Sequence, residues 1–363
     1  MSIEKKRVAI IGTNGIPSNY GGYETLVEYL TKYLSKKFDF IVYCSKDQPT
    51  RIKEHNGAKL VYFPLKANGW QSIIYDIITL MHASFKTDTI FYLGLGAGFM
   101  VPILRIFKKK IIVNHGGLNE WERTKFNIIQ RLILKMGHSI GGKYASLNIA
   151  DNFQLRDSLA KNFGIDSTTI RYGGDHAKPV EVNDDLRKKY PFLNYNYYIN
   201  VSRAQIDNNL HLVLDAFKAN PEKNLVLISN WSVSSYGINL KKEFSSKYSN
   251  IILLDAIYNS KVINAIRSNA IAYIHSHSYC GTSPSLVEAM SLGLPVISFD
   301  VPTNRETTQN KAIYFSSMHE LIKLLYEIKP EKLLKCGYDM KRIAEEEYTW
   351  DKISSLYADL FSS

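Results

Sequence analysis

The sequence predicts an α/β protein of two doubly wound domains, each a parallel sheet with helices on its faces. Three observations predict it. Short apolar runs alternate with longer segments of helical period along nearly all 363 residues. A polar, basic stretch, residues 173–191, interrupts that rhythm, which then starts again. The length is also more than one hydrophobic core usually organises.

The runs 8–11, 40–43, 60–63, 89–92, 111–113, 147–149 and 169–170 are Val-, Ile- and Tyr-rich and read as buried parallel strands. Between them, residues 24–36, 71–85, 121–136 and 152–163 read as helices. After the linker, strands are expected at 197–201, 225–228, 251–254, 271–274 and 296–297, with helices at 210–218, 261–268 and 285–292. Helices at 318–327, 331–348 and 351–361 close the chain. The expected domains are 1–180 and 190–345, with 346–363 as a final helix.

Composition narrows the function classes. An apolar share of 45% with 22% charged residues is ordinary for a globular protein. Neither an apolar leader nor an unbroken run of about 20 apolar residues is present, so a cytoplasmic chain is expected. Cys44, Cys280 and Cys336 have no metal-ligand spacing among themselves, and no metal site is expected. The net charge is +11, and residues 1–180 carry all of it, with 25 Lys/Arg against 14 Asp/Glu. No nucleic-acid motif accompanies the charge. Basic residues instead interleave with Ile, Leu and Phe in 99–110 and 125–135, which suits an anionic membrane surface at the inner face of the cell membrane.

Ligands of doubly wound sheets bind at the carboxyl ends of strands, so the loops there carry the chemistry. In Ser278-Tyr-Cys-Gly281-Thr282-Ser283-Pro284-Ser285-Leu-Val-Glu288 a small-residue turn opens a helix. Free N–H groups at such an end hold an anion, and an ionised Glu one turn in accepts hydrogen bonds from hydroxyls. Phosphate beside sugar hydroxyls means a nucleotide sugar. The loop Gly12-Thr-Asn-Gly15-Ile-Pro17-Ser-Asn-Tyr20-Gly21-Gly22 departs from the G-x-G-x-x-G dinucleotide pattern, while Gly21-Gly22 lets an oxyanion come close. His115, at the end of the fifth strand before Gly116-Gly117, is placed to hydrogen-bond a sugar hydroxyl or leaving oxygen. Arg203 follows the first strand of the second half, where a fixed cation would neutralise a diphosphate. Asn230 and Tyr258 follow neighbouring strands, and Tyr258 could cover a base.

The segment from Pro284 through Glu288 to Gly293-Leu-Pro295-Val-Ile resembles the donor-binding segment of glycosyltransferase family 4, whose fold is the twin-Rossmann GT-B architecture. Gly15-Ile-Pro-Ser-Asn-Tyr-Gly-Gly-Tyr-Glu-Thr25 resembles the opening of its bacterial polysaccharide branch, which includes rhamnosyltransferases. The resemblance implies two domains facing a cleft, an acceptor-binding first domain, a donor-binding second domain and a last helix that crosses back. It further implies that Glu288 contacts the nucleotide ribose and that Gly281, Thr282, Ser283 and Ser285 hold the diphosphate. Gly21, Gly22, Asn230 and Tyr258 complete the donor side, with Asn208 where the family generally has Lys. Tyr20, Glu120 and Arg123 fall on the acceptor side. His115, Arg203 and Glu288 are then the expected catalytic set. The family often has a second Glu eight residues before the first, and that position is Cys280 here. Its absence suits a sugar with fewer hydroxyls, a 6-deoxyhexose such as rhamnose. The enzyme implied by the resemblance is a retaining, metal-independent transferase with no cofactor, using a dTDP- or UDP-sugar and a lipid-diphosphate-linked or growing cell-surface glycan. The rival readings are a sugar-nucleotide 2-epimerase on the same architecture and a non-enzymatic, basic membrane-surface protein.

Overall fold

A computed structural model describes residues 5–19, 21–123 and 127–363, with Trp70 and Glu120 described in backbone only. The chain divides into two compact units, Met1–Tyr172 with Trp350–Ser363, and Gly173–Thr349.

The first unit contains strands β1 (Lys6–Ile11), β2 (Phe38–Cys44), β3 (Glu54–His55), β4 (Ala58–Tyr62), β5 (Thr89–Leu93), β6 (Lys110–Asn114), β7 (Leu147–Ala150) and β8 (Thr168–Thr169). They lie in the order β3-β4-β2-β1-β5-β6-β7-β8, parallel throughout except for the short β3/β4 pair. Val8, Ala9, Ile10 and Ile11 are fully buried, as a strand covered on both faces requires. Strand order reverses between β1 and β5, so the loops after these two strands open the crevice where such sheets take ligands.

The helix expected at 121–136 is displaced. Residues Glu120–Glu122 form a single 3-10 turn, and the helix runs Ile128–Tyr144. Asn127 sets its start, because its side chain accepts from the Gln130 amide while the Gln130 side chain accepts from the Asn127 amide. Trp121 packs edge-on against His138 and Phe163 instead of opening a helix. Gly98 and Gly137 bring this helix to backbone contact with the segment after β5, since a Cβ on Gly98 would lie 2.2 Å from the Gly137 carbonyl oxygen.

The last helix, Trp350–Ser362, belongs to the first unit. Trp350 stacks on Tyr29 at 4.6 Å, and Phe361 meets Phe38, Phe40 and Phe91. Aromatic burial of this size explains why the chain end returns to the sheet it left.

The second unit has β9 (Tyr197–Val201), β10 (Asn224–Ser229), β11 (Ile251–Asp255), β12 (Ala272–His275), β13 (Val296–Phe299) and β14 (Ile313–Phe315). All are parallel, in the order β11-β10-β9-β12-β13-β14. Its order reverses between β9 and β12. The loops 202–209 and 276–283 therefore frame its ligand crevice. A short helix, Asp184–Lys189, lies inside the stretch that reads as linker, capped by Asn183. No helix among the described residues is long and apolar enough to cross a membrane.

Candidate active site

The two switch-point loops of the second unit are sewn together by buried polar groups. Asn200, at the end of β9, donates to the Ile274 carbonyl at 2.9 Å and to Ser276 Oγ at 3.2 Å. Ser276 Oγ in turn donates to the Asn208 carbonyl at 2.6 Å, and the Ser278 amide and hydroxyl both donate to the Asp207 carbonyl at 2.9 Å. Paired in this way, both loops are rigid before any ligand arrives.

Arg203 sits half-buried on the first loop, and among the described residues nothing pairs its guanidinium. Its backbone is held from three sides. Asn208 Nδ2 donates to the Arg203 carbonyl at 2.7 Å, Asn230 Oδ1 accepts from the Ala204 amide at 3.2 Å, and Ser234 Oγ donates to the Ala204 carbonyl at 2.5 Å. Asn208, expected to touch the donor, is 4% exposed with its amide nitrogen turned inward. It shapes the Arg203 loop, which corrects the direct-contact expectation.

On the second loop, Gly281, Thr282 and Ser283 are buried, and Ser283 precedes the helix Pro284–Ser291 without a side-chain cap. Pro284 has no N–H to satisfy. Ser285 Oγ lies 3.1 Å from Ser283 Oγ and accepts from the Tyr273 hydroxyl at 3.0 Å. The Ser285 amide has no acceptor among the described residues, so this end keeps a donor for an anion.

Glu288 is one turn further in, with 12% of its side chain exposed. Arg267 Nη2 lies 2.5 Å from Oε2 and His176 Nε2 lies 3.0 Å from Oε1. Burial pushes the carboxyl up, but Arg267 and His176 outweigh it and hold the group at about 2. Each oxygen keeps a lone pair for a hydroxyl donor. Neither partner is visible to motif reading. Arg267 comes from the preceding helix, Ser260–Ser268, and His176 from the polar stretch at the unit's start. Gly174 makes the second contact possible, because a Cβ there would lie 2.4 Å from the Val287 carbonyl oxygen. A glycine pair two residues before a His is the one sequence signal that was available. Tyr258 is 60% exposed in the loop after β11.

The first unit corrects one expectation outright. His115 is fully buried, with Nδ1 3.0 Å from His138 Nδ1 and Nε2 3.0 Å from Asn148 Oδ1. Burial, then the neighbouring His138, lowers its pKa to about 3, only partly opposed by Asn148. A neutral ring with both nitrogens engaged has none to offer a sugar; it is a core histidine. Asn114 beside it is also structural, accepting from the Gly116 amide at 2.9 Å and donating to Tyr357 Oη at 3.1 Å. Gly21 precedes the helix Gly22–Leu34 in extended backbone. Beneath that end, Glu24 Oε1 accepts from Thr13 Oγ1 and the Asn14 amide, both at 2.8 Å, so a buried carboxylate already sits in the β1 loop. Arg123 is only 7% exposed. Tyr20 and the Glu120 side chain lie outside the described residues.

Comparison with known proteins shows what each half of the chain resembles. Residues 182–335, which contain the Arg203 loop, Arg267 and Glu288, match the family described as glycosyl transferases group 1. The second unit carries a glycosyltransferase group 1 domain. Residues 5–175 match a domain of unknown function, DUF1972. An uncharacterized glycosyltransferase of Methanocaldococcus jannaschii is 25% identical over 379 residues, covering 94% of each chain. The O-antigen chain mannosyltransferase RfbU of Salmonella typhimurium is 22% identical over 199 residues, 52% of each chain. Among solved structures, Anabaena Alr3699/HepE in complex with UDP-glucose aligns with TM-score 0.77 at 14% identity, covering 98% of this chain and 99% of that one. The fold is GT-B, and the group 1 domain occupies the unit whose switch point is described above.

Proposed function

We propose that the protein is a retaining, metal-independent glycosyltransferase that moves a hexose or 6-deoxyhexose, rhamnose first, from a dTDP- or UDP-sugar to a lipid-diphosphate-linked or growing polysaccharide. One observation carries this reading. A guanidinium unpaired among the described residues, an uncapped helix start and a carboxylate ionised at neutral pH all lie on the loops of one switch point and the helix that follows the second loop. Arg203 and the Ser285 amide take the diphosphate, whose charge grows as the glycosidic bond breaks. Glu288, fixed by Arg267 and His176, takes ribose hydroxyls. The acceptor oxygen attacks the anomeric carbon from the face the diphosphate leaves, and the departing phosphate oxygen takes the acceptor proton. No protein nucleophile is consumed. The RfbU likeness supports a cell-surface glycan product, and the UDP-glucose complex of the Anabaena neighbour supports a nucleotide-sugar donor.

The lipid-linked acceptor fits a second feature of the first unit. The helices Val101–Ile106 and Ile128–Tyr144 expose Ile106 (78%), Phe107 (57%), Ile128 (81%), Ile129 (69%) and Leu132 (57%). Arg105, Lys108, Lys109, Arg131 and Lys135 are interleaved with them. Apolar side chains beside cations bind an anionic bilayer surface peripherally.

A thermal-shift panel of dTDP-rhamnose, UDP-glucose, UDP-galactose and GDP-mannose tests the donor. A nucleotide sugar at 100 times its Kd stabilises the folded state by about 2.7 kcal/mol. A melting temperature unmoved by every member would overturn the reading. Product formed from donor alone, with no acceptor, would make the protein an epimerase instead.

A further inference from the structure

The loop after β12 holds a cluster that the proposed transfer does not use. His275 ends β12 and His277 follows two residues on, so both rings project to the same side, with centroids 4.4 Å apart. The chain then turns at Ser278-Tyr279 and brings Cys280 back, its Sγ 3.9 Å from His275 Nε2. One ligand atom from each of the three residues lies within 4.8 Å of the other two. His275 is fully buried, and its Nδ1 has no partner among the described residues. A fourth donor is aimed at the same point. Asn304, also fully buried, spends its Nδ2 on the His277 and Phe299 carbonyls, both at 2.9 Å, which leaves Oδ1 3.5 Å from Cys280 Sγ.

We propose that His275, His277 and Cys280, with the Asn304 carboxamide beside them, form a site for a thiophilic divalent cation of the Zn2+ class. Two imidazoles and a thiolate are the donor set that prefers Zn2+ over Mg2+ or Ca2+. Tetrahedral bonds of about 2.0–2.3 Å place ligand atoms about 3.3–3.8 Å apart, so the cluster closes by about 1 Å through side-chain rotation. Asn304 also ties the backbone of His277 to the loop that carries the ligands. Coordination forms the Zn–S bond as the Cys280 thiol loses its proton to solvent, with no change of oxidation state. The cation would pin the turn at Gly281 without entering the transfer step. The three cysteines give no hint of this in sequence, since the spacing that matters is His-x-His-x-x-Cys and only one ligand is a cysteine.

Co2+ titration of the reduced, full-length protein is the test. Expected are saturation at one equivalent with a thiolate-to-cobalt charge-transfer band, release of about one proton per cation at neutral pH, and loss of the band when Zn2+ is added. Cys280→Ser should lose the band while Cys44→Ser keeps it, and His277→Gln should weaken binding at least about tenfold. Absence of the band in the wild-type protein, or a band of equal strength in Cys280→Ser, overturns the proposal. Near-UV circular dichroism confirms that each variant is folded. His277→Gln provides a second readout should Cys280→Ser fail to fold.

Discussion

Glu288 stays charged inside the second unit because the Arg267 guanidinium stands on one of its oxygens and His176 hydrogen-bonds the other. Its folded pKa of about 2 lies below the ordinary 4.5, so the ionised form favours the folded state. The stabilisation is present above about pH 4.5 and is lost as pH falls toward 2, on the order of 2–3 kcal/mol. Glu288→Gln should flatten that acid limb, measured as melting temperature against pH; an unchanged limb would mean that another group sets it. Arg267→Ala leaves the carboxylate buried beside His176 alone, which should cost about 3–5 kcal/mol in urea unfolding of the second unit. Arg203 is a different case, since none of the described residues pairs its guanidinium. Arg203→Ala should leave the melting temperature within about 1 °C and lower kcat/KM about 10²–10³-fold. Glu288 and Arg203 could be singled out as candidates in the sequence because each follows a strand end or helix start. The partners of Glu288 were not, because Arg267 and His176 reach it from segments 21 and 112 residues away and carry no pattern of their own. His115 misled for a related reason. Its strand-end position is that of a ligand-facing residue, and only packing reveals His138 and Asn148 against its nitrogens.

At the scale of elements, apolar runs bounded by glycine and polar residues gave away nearly every strand, since buried parallel strands need continuous hydrophobicity. The short β3 and β14 escaped, being two and three residues long. So did the start of Ile128–Tyr144, where Asn127 overrides the apolar period that extends upstream. Two elements carry predictions. Gly174→Ala inserts a Cβ 2.4 Å from the Val287 carbonyl oxygen, and backbone cannot yield as a side-chain tip does. The segment should lift from the helix Pro284–Ser291 and take His176 with it, costing about 1–3 kcal/mol and weakening nucleotide-sugar binding in the same thermal-shift assay. The exposed face of Ile128–Tyr144 makes the other. Ile128→Ser with Ile129→Ser and Leu132→Ser should abolish co-sedimentation with vesicles containing anionic phospholipid while the melting temperature holds, since these side chains are 81%, 69% and 57% exposed. Equal sedimentation of the triple variant, or no sedimentation of the wild-type protein, would count against membrane binding through this face.

For the whole molecule, Asp76 and Glu288 should pull the pH dependence of stability in opposite directions, because the two units bury carboxyls of opposite character. Asp76 in the first unit is 5% exposed, and its partners are neutral: Tyr92 Oη donates to Oδ2 at 2.7 Å and itself accepts from the Ala97 amide at 2.8 Å. Burial raises its pKa from 3.8 to about 7, with the Tyr92 hydrogen bond only partly opposing. The folded unit therefore keeps a proton that the unfolded chain has already lost. Its stabilisation is full below about pH 4 and disappears as pH rises through about 7, by at most about 4 kcal/mol. The second unit, resting on ionised Glu288, weakens toward the acid side instead. The buried, neutral His115 and His138 of the first unit act against Asp76, because pKa values of about 3 make the fold lose stability as pH falls below about 6.5, so the Asp76 contribution is read as the difference in melting temperature between wild type and Asp76→Asn from about pH 3 to 8. Asp76→Asn, which keeps a carboxamide oxygen for Tyr92 and cannot ionise, should gain on the wild-type protein in melting temperature as pH rises from about 4 to 7. A difference between the two proteins that does not change with pH would show that a different group carries the proton.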